Sequence, residues 1–180
     1  ATCTLEPGMN SDSHSSENYA LLEESSGFSG VPLTSPGHSV ARATHRVLAI
    51  RTTTRLELLN LTERVQEAVR AAQVREGLVL VSSLHTTLAV MVNEWQEALL
   101  EDLRGMLGDL IPAEKDYRHN DPRYSNCDRK NAHSHLRAAL LGHTVSFGVT
   151  DGRLALGQFQ AIIAAELDGP ALRDHIPQFI

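Results

Sequence analysis

The sequence predicts an α+β fold, with a mixed, largely antiparallel sheet and about three helices. Strand-like and helix-like segments follow one another as strand, helix, two strands, two helices and then several strands. This order differs from the strict alternation of doubly wound folds. The last strands include a hairpin signal at Asp151-Gly152. A chain of 180 residues can bury one sizeable core, so residues 40–180 are predicted to form a single domain.

Composition narrows the classes of function. The formal net charge of −6 and the pI of about 5.8 argue against a large footprint on a phosphate backbone, so no nucleic-acid partner is expected. No apolar run approaches the ~18 residues of a membrane span, and no secretory signal is visible. The two cysteines, Cys3 and Cys127, do not predict a structural disulfide, which fits a reducing, cytoplasmic location.

The first 39 residues differ from the rest of the chain in composition. They are rich in Ser, Gly, Pro and Glu and show no sustained apolar period. Such a segment cannot bury enough apolar surface to offset its ordering entropy, so residues 1–39 are predicted to be a flexible extension. An alternative role for the extension is that it binds a partner and the domain serves as its scaffold.

The first elements of the domain follow from local patterns. Residues 45–53 alternate as a strand does. A helix follows, which Asn60 or Thr62 can cap and Gly77 can stop. Its apolar stripe consists of Val65, Val69 and Ala72.

The central stretch places polar side chains inside strand-like sequence. An apolar run over 78–81 and a second run over 88–92 read as two strands, with His85, Thr86 and Thr87 between them. Burying an imidazole and two hydroxyls costs free energy unless each finds a partner. One interpretation is a satisfied core histidine with two β-favouring threonines. The other is a ligand-binding or catalytic group at the floor of a pocket.

The second half begins with another amphipathic helix. Asn93 is predicted to cap a helix over roughly 94–108 that Pro112 closes, with Trp95 in its first turn as a core or interface anchor. The predicted buried face consists of Leu99, Leu103, Met106, Leu107 and Leu110.

A polar loop and further elements complete the domain. The loop spans residues 113–130, and a loop this long and this rich in reactive side chains is either disordered or functional. A third helix is predicted over 132–141, capped by Asn131 and ended by Gly142. The remaining strands are predicted at 144–149, 154–156 and 161–167.

Four histidines interrupt otherwise structured sequence: His85, His119, His133 and His135. Neutral imidazole is the usual protein ligand of divalent transition metals, and three such ligands leave an open catalytic position. His133 and His135 lie two apart on the predicted helix, so only one is expected to face a given site, and His135 is favoured. The alternative is a set of unrelated core and surface histidines.

Other polar residues give weaker signals. Glu94 can be a simple helix cap, Arg153 can bind phosphate or be solvated, and a buried Glu166 needs a partner. Thr86, Thr87 and the helix start after Asn93 together favour an anion site. P-loop, GxSxG, CxxC and GxGxxG motifs are absent from the sequence, so it does not support NTP hydrolysis, serine hydrolysis, structural zinc or dinucleotide binding.

Four motifs in order resemble the YjbQ family, also called UPF0047, over about residues 43–170. They are His85-Thr86-Thr87-Leu88-Ala89-Val90 with Asn93-Glu94, then Tyr117-Arg118-His119, then the segment 131–142 around His135, and finally Asp151-Gly152-Arg153 through Phe159-Gln160 with Glu166. Three features depart from the family pattern. Phe159 replaces the usual Trp, the end Leu172–Ile180 looks short and weakly strand-like, and Asp128 is followed by Arg129-Lys130 where the family often has an acidic pair.

The resemblance implies a YjbQ-like homotrimer with sites near the subunit interfaces and a secondary thiamine-phosphate-synthase-like activity on small phosphorylated metabolites. It implies that a divalent metal ion such as zinc binds His85, His119 and His135, which are also the catalytic set together with Glu94 and Glu166. It assigns substrate or phosphate binding to Thr86, Thr87, Arg153 and Gln160. The rival interpretation is a non-catalytic trimer that binds a metal or a metabolite.

Overall fold

The computed structural model describes residues 43–179, and the predicted extension over 1–39 lies outside them. The strands are β1 (His45–Arg51), β2 (Glu57–Asn60), β3 (Gly77–Ser82), β4 (Leu88–Glu94), β5 (Thr144–Thr150), β6 (Arg153–Leu154), β7 (Gln160–Glu166) and β8 (Leu172–Phe179). The helices are α1 (Thr62–Ala72), α2 (Glu97–Leu110) and α3 (Ala132–Leu141), and a short 3-10 turn spans Arg118–Asn120. The predicted α+β class is confirmed.

The strands form two sheets in which neighbouring strands run antiparallel. The five-stranded sheet has the order β1-β8-β3-β5-β6, and the three-stranded sheet has the order β2-β7-β4. The expectation of a weak, strand-poor end at Leu172–Ile180 is wrong. Strand β8 has eight residues and lies between β1 and β3, because pairing on both sides stabilises it despite its poor local pattern.

The three-stranded sheet is buried on both faces. Leu88 and Val90 of β4 pack with α1 and the large sheet, whereas Ala89 and Met91 pack with α2 and α3. Strand β7 alternates in the same way, which explains its unbroken apolar sequence Ala161 to Ala165. Its polar ends, Gln160 and Glu166, therefore lie at opposite ends of a fully packed strand.

The first two helices depart from prediction in their boundaries. Helix α1 buries the predicted stripe but ends at Ala72, with Gln73 in a left-handed conformation, so Gly77 does not stop it. Strand β4 continues to Glu94 because it pairs with β7, and α2 starts only at Glu97 with Gln96 as its cap. The predicted cap at Asn93 is therefore wrong.

The buried face of α2 is rotated from the predicted one. It consists of Leu100, Leu103 and Leu107, while Met106 and Leu110 are exposed. Trp95 precedes the helix and is 40% exposed, so it is not a core anchor. Helix α3 has the predicted bounds, and the hairpin turn at Asp151-Gly152 has two positive φ angles, as predicted. Among the helices described over 43–179, none is long and apolar enough to cross a membrane.

Candidate functional site

Three segments converge on a pair of histidines. They are the loop 83–87 between β3 and β4, the 3-10 turn Arg118–Asn120, and the first turn of α3. The rings of His119 and His135 lie edge to face, with centroids 5.0 Å apart and an interplanar angle of 83°. His135 also donates a hydrogen bond to the backbone of Thr86. The structure therefore joins three of the four motif segments.

The two histidines differ in their hydrogen bonding. Burial lowers the pKa of His135 below 6.5, the neighbouring His119 lowers it further, and Asp168 and the Thr86 hydrogen bond oppose the shift. A neutral ring that donates one N–H to Thr86 has a lone pair on its other nitrogen. Within residues 43–179, the Nε2 atom of His119 is buried and has no hydrogen-bond partner. His135 is thus the member of the pair whose free ring nitrogen can accept a proton.

The loop 83–87 is held by its own hydrogen bonds. The hydroxyl of Ser83 accepts from the His85 backbone N–H at 3.1 Å, and the Leu88 backbone N–H donates to the His85 carbonyl. His85 is half-buried and directly precedes Thr86. Thr87 is buried, whereas Thr86 is exposed. His85 and Thr86 therefore lie on the loop that borders His135.

Glu166 lies beneath this loop and is fully buried. Arg173 donates to both of its carboxylate oxygens, at 2.6 and 2.7 Å, and the backbone N–H groups of Leu167 and Asp168 donate to Oε1. The pKa of Arg173 is raised by this carboxylate. Arg173 also donates to the Thr87 hydroxyl at 3.0 Å. Because both carboxylate oxygens are occupied, Glu166 is suited to positioning Arg173 and Thr87 and not to proton transfer.

The other predicted residues lie elsewhere. Gln160 pairs with Glu94 at one end of β7, and Glu166 pairs with Leu88 at the other end. At ~3.3 Å per residue, these ends are about 20 Å apart. Arg153 is exposed in β6 and lines a groove of about 600 Å³ beside α1. Within one chain, Glu94, Gln160 and Arg153 therefore do not reach the histidine pair.

A family model described as "UPF0047 protein YjbQ-like" matches residues 46–180, which include every motif above. The chain belongs to the UPF0047 family. A UPF0047 protein of Archaeoglobus fulgidus is 41% identical over 126 residues, which are 70% of this chain and 93% of that protein. One of Methanothermobacter thermautotrophicus is 39% identical over 126 residues, which are 70% of this chain and 84% of that protein.

Solved structures show the same fold. A YbjQ-like protein of unknown function from Sulfolobus solfataricus matches with a TM-score of 0.71 and 30% identity, over 77% of this chain and 96% of that one. A hypothetical protein from Aeropyrum pernix matches with a TM-score of 0.67 and 30% identity, over 76% of this chain and 96% of that one. The α+β architecture described here is therefore that of the UPF0047 proteins.

Sequence reasoning missed a buried carboxylate that organises this UPF0047 site. Asp168 is 3% exposed and accepts hydrogen bonds from Arg55 at 3.0 Å, Arg129 at 2.8 Å and Asn131 at 2.7 Å. Asn131 therefore begins α3 by tying it to the end of β7, and not by capping it with its side chain. The signal available in the sequence was Asp168 directly after the apolar run of β7, followed by Gly169-Pro170.

The side chain of Asn120 joins the 3-10 turn to α3. The Oδ1 atom of Asn120 accepts from the Ala132 backbone N–H at 3.0 Å. This bond holds the 3-10 turn at the start of the helix, where His119 contacts His135. Asn120 is thus a positioning residue that the sequence pattern did not single out.

The three predicted metal ligands are not clustered within one chain. Over residues 43–179, no group of three or more His, Cys, Asp or Glu side chains is arranged to hold a metal ion. His119 and His135 are adjacent, but within one chain the predicted set of His85, His119 and His135 is not an assembled ligand cluster. The metal site stays a prediction.

Proposed function

We propose that this UPF0047 protein binds a small phosphorylated metabolite at the His119–His135 pair and transfers a group from it. The specific reaction is thiamine-phosphate-synthase-like. A thiazole phosphate nitrogen attacks the methylene carbon of a pyrimidine methyl diphosphate, the carbon–oxygen bond breaks, and pyrophosphate leaves. The single observation that carries the proposal is the contact between two half-buried imidazoles, one of which, His119, has a buried Nε2 atom without a hydrogen-bond partner in the described residues.

The pair would assist the leaving group. An anionic diphosphate near His135 raises the pKa of the ring, because an opposite charge favours the protonated form. The ring then takes up a proton and donates it as a hydrogen bond to the departing pyrophosphate, whose developing charge this stabilises. Arg129 lies close enough to lower the pKa of His135, so it adds positive charge near the ring.

The homotrimer belongs to this proposal. Glu94, Gln160 and Arg153 do not reach the histidine pair within one chain. In a trimer with sites between subunits, these residues of one subunit can complete the histidine site of the next, where Arg153 and Gln160 would bind phosphate oxygens. A cytoplasmic location, where such metabolites are made and used, also belongs to the proposal.

The test is turnover of the two thiamine precursors by purified protein, with thiamine phosphate measured by chromatography. We expect His135→Gln and His119→Gln to lose about 10²-fold or more of the rate, the usual contribution of a positioned acid or base. His45→Gln, an exposed histidine of β1, is the matched control and should keep the wild-type rate. Unchanged turnover in both site variants would contradict the proposal.

The metal prediction has its own test. Elemental analysis of purified wild type and of the His85→Ala/His135→Ala variant should show near-stoichiometric metal in the first and its loss in the second. Absence of metal from both would leave His85 and His135 as acid–base or anion-binding groups. Ligand binding without turnover would favour the non-catalytic binding protein.

A further inference from the structure

A cleft beside the first turn of α3 is lined by His133 and not by His119 or His135. It has a volume of about 500 Å³ and is lined by His133, Arg55, Asn120, Lys130 and the segment 113–116. His133 and His135 are separated by about 200° around the helix, since each residue advances ~100°. Helix α3 therefore presents one histidine to each of two sites.

His133 is the buried polar group of this cleft. Its side chain lines the cleft although the residue is only 4% exposed, and its Nδ1 atom is buried without a hydrogen-bond partner in the described part of the chain. Buried polar atoms without a partner are uncommon in folded proteins, because each one forfeits a hydrogen bond to water. Because Nδ1 is inaccessible, a ligand in the cleft can contact this ring only through its other nitrogen, Nε2.

The charges of the cleft favour an anion. Lys115 and Lys130 are the only two lysines of the sequence, and both line the cleft. Arg55 lines it as well, and its 3.0 Å hydrogen bond to Asp168 fixes the guanidinium in place. A guanidinium has five N–H donors, so others can still reach a ligand. Glu114 and Asp116 also line the cleft. With Asp168, which pairs with both Arg55 and Arg129, the charges in and next to the cleft are four cations against three carboxylates.

We propose that this cleft is a phosphate-binding site in which Arg55, Lys115 and Lys130 contact the phosphate oxygens and His133 donates an N–H to one of them. Arginine and lysine form charge-assisted hydrogen bonds with phosphate, and a buried imidazole N–H adds a directional donor. The site is separate from the His119–His135 pair, and it exists whether or not that pair is catalytic. Its ligand is free phosphate or the phosphate end of a small metabolite.

The experiment uses the two lysines as reporters. Reductive methylation with ¹³C-formaldehyde labels Lys115 and Lys130 without removing their charge, and Lys115→Gln and Lys130→Gln assign their NMR signals. On addition of inorganic phosphate at constant ionic strength, we expect both lysine signals to shift and to saturate together. In His133→Gln, we expect about tenfold weaker binding, the effect of losing one such hydrogen bond.

The matched control is Arg75→Gln, which removes the same charge from an exposed ion pair with Asp151. It should leave the phosphate affinity unchanged, whereas Lys130→Gln, an exposed substitution with no expected effect on folding, should lower it about tenfold. Shifts that do not saturate, or equal effects in Lys130→Gln and Arg75→Gln, would overturn the proposal.

Comparing the His135→Gln and Lys130→Gln variants tests this phosphate site independently of the proposed function. If His135→Gln abolishes the phosphate response and Lys130→Gln does not, phosphate binds at the histidine pair and the second site is refuted, while the proposed function stands. A phosphate response that is unchanged in His135→Gln but lost in Lys130→Gln supports the second site, even if the turnover assay fails. A phosphate monoester, such as glycerol phosphate, then distinguishes a metabolite from free phosphate by its tighter binding.

Discussion

The buried ion pair of Glu166 and Arg173 gives the sharpest prediction about stability. Glu166 is fully buried, and the side chain of Arg173 is 13% exposed. Glu166→Gln removes the carboxylate charge and leaves the guanidinium buried with only neutral partners. Removing one member of a buried pair typically costs ~3–5 kcal/mol, a large part of the ~5–15 kcal/mol by which domains are stable.

Urea unfolding followed by circular dichroism measures this loss as a shift of the midpoint. Glu63→Gln is the matched control, because Glu63 and Arg70 form an exposed pair with side chains 69% and 59% accessible. Exposed pairs contribute ~0–1 kcal/mol, so the control should change the free energy of unfolding little. If Glu166→Gln costs no more than Glu63→Gln, the network under Thr87 does not have the role inferred from it.

Three other predictions follow from the same structure. Because the pKa of His135 is lowered below 6.5, the unfolded state binds more protons, so stability should fall as the pH drops from 6.5 through the lower folded pKa. Urea midpoints between about pH 5 and 8 should depend less on pH in His135→Gln, and an equal dependence would contradict this. Gly169→Ala should destabilise by ~1–3 kcal/mol or more in thermal melts, because the added Cβ would clash with the Thr54 carbonyl, and a wild-type melting temperature would refute it. Gln160→Ala removes the hydrogen bond that Gln160 Oε1 accepts from the Gly157 N–H, so it should lower the free energy of unfolding by ~0.5–1.5 kcal/mol and also lower turnover. Unaffected turnover would remove Gln160 from the site.

Local signals predicted the parts of the fold that depend on a few neighbouring residues. Helix α3 has the expected bounds because Gly142 ends it with a positive φ of 91°, which glycine adopts readily. The turn at Asp151-Gly152 was predictable for the same reason. Helix α2 was misplaced at its start because the pairing of Glu94 with Gln160 is a contact between distant segments. The residues around Glu94 alone do not predict that β4 pairs with β7 at this position.

The sequence singled out His119 and His135, and the structure brings these two rings into contact. That they form a functional site stays a prediction. The sequence also indicated that a buried Glu166 needs a partner, but it could not identify Arg173, which reaches back from the following strand. Nor could motif order show that Gln160 lies at the far end of β7, since two residues of one motif can occupy opposite ends of a strand.

Histidine ring NMR with inorganic pyrophosphate tests the central claim most directly. In ¹⁵N-histidine-labelled protein at pH 7, His135 should show a neutral ring with one N–H, as its lowered pKa requires. Saturating pyrophosphate should move the nitrogen signals of His135 to imidazolium values, with no change in exposed His45. If pyrophosphate leaves the His135 ring unchanged, the pair does not serve a diphosphate leaving group and the proposed reaction is wrong.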